Sequence, residues 1–315
     1  MSRPIDNTRR GFCDGLMNLA RERDDIALIS TDSSIISGGL KFRELYPERY
    51  FEVGIAEQNG VAFASGLASC GLVPYIATYA GFLTMRACEQ MRTFCAYPRL
   101  KVRFAGANGG MLGGNREGVT HQFFEDIGIL QSIPGFTIVA PSDGGQVKKA
   151  VEAVADVDGP AYIRIGSGKE PKIHSDDDIF ELGKASVLLD NGSDVALFSY
   201  GFVLDRALDA AERLKARGIG AVVVEVPTIK PMDVETITAT LKRTSCAVTV
   251  EDHNIIGGLG SAIMTVSGER FPSRIGRVGL RDTWPESGEP SALLDEYGLS
   301  IDDIVGTAEE TLRLN

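Results

Sequence analysis

Short apolar runs of strand length alternate with segments of helix length along most of this chain. Strands are predicted at Ile26–Ser30, Tyr50–Val53, Val73–Thr78, Lys101–Ala105, Thr137–Ala140 and Tyr162–Ile165. Helices are predicted between them, at Ala56–Ser69, Thr84–Phe94, Glu125–Ser132 and Gly144–Ala155. This alternation predicts an α/β fold in which helices cover both faces of a mostly parallel sheet.

The polar segment 167–184 interrupts this rhythm, and a second cycle follows it. The strands predicted in the second cycle are Val195–Ser199, Ala221–Val226, Ala247–Glu251 and Ile275–Leu280. The helices predicted there are Leu204–Arg217, Asp233–Lys242, Ser261–Ser267 and Ser300–Leu314. A chain of 315 residues is long enough for two domains that each bury a core. We therefore predict two doubly wound, mostly parallel-sheet domains, at 1–170 and 185–315, joined by a linker at 171–184.

Charge and cysteine spacing argue against several classes of protein. The net charge of −11 leaves no basic surface for nucleic acid or for an anionic membrane, so neither is expected as a partner. The apolar runs are too short to span a membrane, and the first residues lack the apolar core of a signal peptide. Five scattered cysteines without metal-binding spacing favour reduced thiols in a cytoplasmic protein, and no metal site is predicted within the chain.

Glu57 follows the predicted strand Tyr50–Val53 and stands near the start of a helix built almost wholly of small residues. An exposed glutamate that interacts favourably with the helix dipole is the common alternative at such a position. The small side chains of Ala56–Ser69 predict instead a helix that packs closely on all sides. Partial desolvation raises the pKa of a carboxyl group, and a carboxyl held in this way can lend a proton to a base.

His121, one of three histidines, stands in a polar cluster at 118–126. Polar clusters that follow a strand are where open α/β sheets bind ligands. Tyr79 and Phe82 follow the predicted strand Val73–Thr78. From the residues alone they are either core aromatics or an apolar wall against a flat heterocycle.

The order and spacing of six motifs resemble the transketolase family. The motifs are Phe51–Asn59, Tyr79–Thr84, Gly118–Gln122 with Glu125 and Asp126, Pro141–Asp143, Leu280–Trp284 and Ser287–Pro290. The resemblance covers nearly the whole chain, but only the pyrimidine-binding and C-terminal domains of that family. It implies thiamine diphosphate as cofactor, and transfer of a two-carbon ketol unit from a ketose to an aldose as reaction.

The resemblance also implies roles for individual residues. Glu57 matches the glutamate that hydrogen-bonds N1′ of the cofactor's pyrimidine ring, where proton transfer activates the cofactor. Tyr79 and Phe82 match the aromatic wall around that ring, and Asp32 matches an acidic position near the cofactor. His121 matches the histidine that orients substrate oxygens and stabilises developing charge.

A partner subunit is implied as well. In this family the other half of the enzyme carries a Gly-Asp-Gly motif, a downstream asparagine and the ligands of Mg²⁺, and no Gly-Asp-Gly occurs in this sequence. We therefore expect a separate N-terminal subunit to bind the diphosphate and Mg²⁺. Two copies of this chain, as a homodimer, would join two such subunits in a heterotetramer, and the isolated chain would be an inactive dimer.

Several positions depart from the family pattern where the substrate would bind. Glu117 stands where an aspartate is usual, and Asn108 where a histidine is usual. The usual phosphate-binding arginine after the strand at 161–165 is missing, although Arg164 lies close and is expected to contact substrate, and Arg9 matches another phosphate-facing arginine. Fewer bidentate arginine contacts weaken phosphate recognition. We therefore hypothesise a sugar substrate that is not a standard pentose phosphate, or one that is bound differently.

Two alternatives remain open from the sequence. The β subunit of a 2-oxo acid dehydrogenase E1 component has a similar length and architecture and also depends on a separate subunit. The motifs at Ile55–Asn59 and Thr120–Gln122 favour the transketolase interpretation. A non-catalytic interaction subunit would keep the fold without turnover, and the joint presence of Glu57 and His121 argues against it.

Overall fold

The computed structural model describes residues 3–34, 38–111, 113 and 117–314. The strands are β1 (Ile26–Ser30), β2 (Tyr50–Glu52), β3 (Val73–Tyr79), β4 (Arg103–Ala107), β5 (Thr137–Val139), β6 (Ala161–Arg164), β7 (Ser186–Asp190), β8 (Val195–Ser199), β9 (Ala221–Glu225), β10 (Thr228–Lys230), β11 (Cys246–Asn254) and β12 (Arg274–Leu280). The α-helices are α1 (Thr8–Glu22), α2 (Gly39–Leu45), α3 (Glu57–Ser69), α4 (Cys88–Gln90), α5 (Asp126–Gln131), α6 (Gly144–Val154), α7 (Leu204–Ala216), α8 (Val234–Thr244), α9 (Leu259–Arg270), α10 (Pro290–Glu296) and α11 (Ile301–Arg313). Short π-helical segments at Phe82–Arg86 and Met91–Ala96 flank α4, and 3₁₀ turns occur at Pro47–Arg49, Gly118–His121 and Gly201–Val203.

Two sheets organise these elements. The first has the strand order β10-β5-β6-β4-β3-β1-β2, and the second has the order β12-β11-β8-β9-β7. Every neighbouring pair is parallel except β10 with β5 and β7 with β9. The predicted α/β class with two mostly parallel sheets is therefore confirmed. Strand β10 lies in the range predicted for the second domain and yet extends the first sheet, and the domain boundaries drawn from the sequence stay a prediction.

Helices cover both faces of the first sheet. Successive side chains of a strand point to opposite faces, so neighbouring residues enter different cores. Leu28 of β1 belongs to a core with Phe12 of α1 on one face. Its neighbour Ile29 belongs to a different core on the other face, with Val61 of α3. That second core also includes Phe198 of β8. The two sheets therefore share buried side chains.

Helix α1 is the largest difference from the sequence prediction, which has no helix before β1. Gly11 and Gly15 lie four residues apart and allow α1 to approach α6 closely. A Cβ atom on Gly11 would lie 2.1 Å from the carbonyl oxygen of Gly144. Glycine is also a weak helix former, so the same two residues weaken the helix signal in the sequence. The helix carries Arg9, one of the residues predicted to contact substrate.

One histidine, in the segment predicted as a linker, connects the two sheets. Nδ1 of His174 lies 3.0 Å from Oδ2 of Asp143, the N-cap residue of α6. Nε2 of His174 lies 2.9 Å from Oε2 of Glu225, the last residue of β9. Burial by itself lowers the pKa of a histidine, but the two carboxylates outweigh it and raise the pKa of His174 to about 10. Burial likewise opposes the charge of Asp143, yet hydrogen bonds from His174 and from the backbone hold its pKa at about 2.

Candidate functional site

Most of the predicted site residues lie near the carboxyl ends of adjacent parallel strands in the first sheet. Tyr79 ends β3, Asn108 directly follows β4, and Glu57 begins α3 shortly after β2. His121 ends the 3₁₀ turn at Gly118–His121. The carboxyl ends of parallel strands meet at one edge of a sheet, which is the usual ligand-binding edge of an open α/β sheet. We call Glu57, Tyr79, Phe82, Asn108 and His121 the strand-end site.

Glu57 supplies the carboxyl group of the strand-end site and is deeply buried, with 1% of its surface exposed. One oxygen, Oε2, accepts a hydrogen bond of 2.8 Å from Nη1 of Arg86. The other, Oε1, is buried and has no hydrogen-bond partner within the part of the chain that the structure describes. An unpaired buried acceptor costs free energy, on the order of 1–3 kcal/mol. Glu57 therefore presents one oxygen that a donor from outside this chain would satisfy.

Three rings pack edge to face, and Arg86 links one of them, Phe82, to Glu57. The ring centroids of Tyr79 and Phe82 lie 5.4 Å apart, and the His121 ring lies 5.0 Å from Tyr79 and 5.4 Å from Phe82. Thr120 Oγ1 lies 2.9 Å from Nδ1 of His121, so Nδ1 is engaged within the chain. The aromatic wall and the histidine predicted from separate motifs thus form one cluster.

Arg9 and Asn108 form a polar pair next to this cluster. Nη2 of Arg9 donates to Oδ1 of Asn108 at 2.5 Å, and Nδ2 of Asn108 donates to the carbonyl of Gly113 at 2.9 Å. Burial lowers the pKa of Arg9, while nearby negative charge, including that of Glu117, opposes the change. Glu117 itself is exposed. Of the residues predicted to contact substrate, Arg9 and Asn108 therefore lie together, with the cation of Arg9 bonded to the amide of Asn108.

Asp32 is exposed and has a left-handed backbone, with φ of 58°. Its backbone nitrogen donates to Oε1 of Glu52 at 2.7 Å, and the backbone nitrogen of Gly54 donates to the same oxygen at 3.1 Å. Burial opposes the charge of Glu52, but these bonds lower its pKa below the ordinary value. The carboxylate that organises this loop is therefore Glu52, whereas the proposed cofactor contact of Asp32 stays a prediction.

Arg164, predicted to contact substrate, does not join the strand-end site. It is 7% exposed, and its Nε and Nη2 atoms donate to the carboxylate of Asp126 at 2.9 and 3.1 Å. Nη2 also donates to the carbonyl oxygens of Phe123 and Asp252. Burial opposes the charge of the guanidinium, but Asp126 raises the pKa of Arg164 above its ordinary value. A guanidinium committed to these partners is not available to a substrate phosphate, so Arg164 is better explained as a structural residue.

This placement predicts how Arg164→Lys behaves. Lysine cannot reproduce the paired bonds to Asp126, so the free energy of unfolding should fall by about 3 kcal/mol, the cost of disturbing a buried ion pair. Substrate binding should change little. Urea unfolding and the KM for the ketose would check both expectations. If KM rose about tenfold and the free energy of unfolding did not change, Arg164 would be a substrate-binding residue.

Two further residues at the site are not in the sequence prediction. Arg86 contacts Glu57 and also lies over the ring of Phe82, with 4.2 Å between its Cζ atom and the ring centroid. It lies in the same π-helical segment as Phe82, which the sequence prediction places only partly in a helix, so no sequence pattern marks the contact. Gln122 is 2% exposed and donates from Nε2 to the carbonyl of Glu286, while its Oε1 has no partner among the described residues. No sequence pattern distinguishes this buried amide from an ordinary one.

Neither a metal-binding cluster nor a membrane-spanning helix occurs in the part of the chain that the structure describes. Within 3–34, 38–111, 113 and 117–314, no three histidine, cysteine, aspartate or glutamate side chains are grouped so that they could hold a metal ion. In the same part of the chain, every helix is too short or too polar to cross a bilayer.

Two family models match this chain. The model of the transketolase pyrimidine binding domain matches residues 6–169, and that of the transketolase C-terminal domain matches residues 183–304. Together they span most of the sequence, and the strand-end site lies wholly inside the first of them.

Individual proteins are similar over almost their full length. A 6-deoxy-6-sulfo-D-fructose transketolase subunit of Clostridium sp. (strain MSTE9) is 37% identical over 96% of this chain and 93% of its own length. An apulose-4-phosphate transketolase subunit of Phocaeicola vulgatus is 36% identical over 97% of each chain. A solved structure of a split gene transketolase, described as an inactive β4 tetramer, has a TM-score of 0.89 at 36% identity and covers 98% of this chain and 99% of its own.

Proposed function

This chain belongs to the transketolase family, and we propose that it is the C-terminal, pyrimidine-binding subunit of a two-component transketolase. In that role it would act with a separate N-terminal subunit in the cytoplasm to transfer a two-carbon ketol unit from a ketose to an aldose. Two observations carry the proposal: the buried Oε1 of Glu57 has no hydrogen-bond partner among the described residues, and Arg86 links Glu57 to the clustered rings of Tyr79, Phe82 and His121.

These residues fit thiamine diphosphate. A buried carboxyl oxygen without a partner suits a ring nitrogen that carries a hydrogen, and an aromatic wall suits a flat heterocycle. Glu57 would hold a proton at N1′ of the pyrimidine, and Tyr79 and Phe82 would border the ring. When bound, the cofactor supplies the electron sink on which the two-carbon unit is carried.

The substrate would meet a different group of side chains. Nε2 of His121, the ring nitrogen that does not bond to Thr120, would orient the oxygens of the ketose. Asn108, fixed by its bonds to Arg9 and Gly113, would present a neutral amide where a histidine is usual. Glu117 is exposed and would accept a bond from a sugar hydroxyl.

We propose that the N-terminal partner binds the diphosphate and Mg²⁺. Two copies of each subunit would form a heterotetramer. Support for assembly comes from an apolar surface next to the strand-end site. Phe63 of α3 is 38% exposed, and Met85 and Phe94, on the π-helical segments that pack against α3, are 46% and 42% exposed. Exposed apolar side chains on adjoining elements are typical of protein–protein contact surfaces. A homodimer through this surface would place Glu57 close to the subunit boundary.

Reaction type is tested by reconstitution with the proposed N-terminal subunit. The proposal requires ketol transfer from a ketose to an aldose and no decarboxylation of pyruvate. Decarboxylation without ketol transfer would support the alternative, a 2-oxo acid dehydrogenase E1 component. Assembly with the partner but no turnover of either kind would support a non-catalytic subunit.

Substrate choice yields a separate prediction. Arg164 is occupied by Asp126, so Arg9 is the predicted phosphate-facing arginine that remains near the site, and it is already bonded to Asn108. A phosphate group on the ketose should therefore raise kcat/KM by less than about tenfold, the value of roughly one charge-assisted hydrogen bond. Steady-state kinetics with matched phosphorylated and unphosphorylated ketoses would measure this ratio. A strong preference for xylulose 5-phosphate would contradict it.

A further inference from the structure

Arg86 lies against two of the residues that the proposed cofactor ring would contact, Glu57 and Phe82. Its Nη1 atom donates to Oε2 of Glu57 at 2.8 Å. Its guanidinium carbon lies 4.2 Å from the centroid of the Phe82 ring. A guanidinium is flat, carries N–H donors and packs on aromatic faces. In these three respects it resembles an aminopyrimidine ring.

The backbone of Arg86 is fixed, whereas its side chain is not enclosed. Nε2 of Gln58, the second residue of α3, donates to the carbonyl oxygen of Arg86 at 3.0 Å. This bond fixes the end of the π-helical segment Phe82–Arg86 against the start of α3. The Arg86 side chain is nevertheless 46% exposed, while Glu57 is 1% exposed. The guanidinium can therefore swing into solvent without disturbing the backbone.

Arg86 and a pyrimidine ring would compete for the same space. The guanidinium of Arg86 reaches from the carboxyl group of Glu57 to the face of the Phe82 ring. A flat ring that borders Phe82 and reaches the same carboxyl group would overlap it. The Arg86–Glu57 pair must therefore open when such a ring binds.

We propose that Arg86 is an internal competitor of the cofactor: it pairs with Glu57 and covers Phe82 until the pyrimidine ring displaces it. This inference rests on the proposed function and adds a step to assembly. Apparent cofactor affinity is reduced by the fraction of molecules in which the pair is closed. Removal of the guanidinium should consequently tighten binding, which is the opposite of what loss of a ligand contact would do.

Calorimetric titration of thiamine diphosphate, with Mg²⁺, into the reconstituted complex tests this step without turnover. Arg86→Met keeps the length of the side chain but removes charge and donors, and should lower the Kd about fivefold. Arg86→Lys keeps the charge but not the flat donor group and should give a smaller gain. It also provides the test should the methionine variant not assemble. Arg92→Met is the matched control, because Arg92 is an exposed arginine on the following π-helical segment, and it should leave the Kd unchanged.

The outcomes separate this inference from the proposed function. Tighter binding by Arg86→Met but not by Arg92→Met supports the competitor. Equal or weaker binding by Arg86→Met, or by Arg86→Lys in its place, overturns the competitor and leaves the function standing. A wild-type complex that binds no thiamine diphosphate at all overturns the proposed function and the competitor with it.

Discussion

Glu57→Gln should lower ketol transfer by the reconstituted enzyme about 10²- to 10⁴-fold, the usual contribution of a positioned general acid or base. Glutamine has nearly the shape of glutamate and can still accept a bond from Arg86, so the fold and the subunit contacts should persist. It cannot lend a proton to N1′. The expected signature is therefore a loss in kcat at unchanged assembly, measured by steady-state kinetics and by light scattering of the complex.

The control for this substitution is Glu89→Gln. Glu89 is an exposed carboxylate on the neighbouring helix α4, and its replacement removes the same charge without touching Glu57. It should retain activity within about twofold, as expected for a surface change. Full activity of Glu57→Gln would refute the catalytic role of Glu57, whatever the family to which the chain belongs.

The second large effect is on stability, and it comes from His174. Its pKa is about 10 in the folded chain, against 6.5 for an ordinary histidine. A group whose pKa is raised by folding stabilises the folded state fully below its unfolded pKa, and this contribution is lost as the pH rises through the folded value. The loss should therefore run from about pH 6.5 to about pH 10. At about 1.4 kcal/mol for each pH unit between the two pKa values, it amounts to about 5 kcal/mol at most.

Comparison with His174→Gln isolates the contribution of His174 and its two carboxylate partners, since groups away from them titrate equally in both proteins. Glutamine keeps hydrogen-bonding capacity but leaves Asp143 and Glu225 without the positive charge between them. The difference in unfolding free energy should be largest near pH 6 and should shrink towards pH 10. Urea unfolding of both proteins at pH 6, 8 and 10 would measure it. A difference that is the same at all three pH values would mean that the imidazole is neutral in the folded chain.

Much of the fold follows from the sequence because a buried parallel strand is a continuous apolar run. Ile26–Ser30 and Val195–Ser199, for example, have the same bounds in sequence and structure. Strand β10 could not be predicted, since three residues at Thr228–Lys230 carry little pattern and their partner β5 is distant in the chain. The segment around Thr84–Phe94 is helical as predicted, but π-helical turns occupy most of it, and periodicity does not reveal them.

The sequence predicts the site residues whose side chains lie at the carboxyl ends of the strands, but not those whose side chains turn elsewhere. Glu57, Tyr79 and His121 come together because each follows a strand or turn at the same edge of the sheet, and this could be inferred from order along the chain. Arg164 lies next to the end of its predicted strand, yet its side chain enters the space between the sheets and meets Asp126. Sequence gives the position of such a residue but not the partner that occupies it.

Exchange of the C2 hydrogen of bound thiamine diphosphate for deuterium would test the central claim most directly, because it needs no knowledge of the sugar. The rate can be followed by proton NMR after acid quenching of the reconstituted complex in D₂O. If Glu57 lends its proton to the pyrimidine, exchange in the wild-type complex should be at least about 10²-fold faster than in the Glu57→Gln complex. Equal rates in the two complexes, with the cofactor bound in both, would contradict the account.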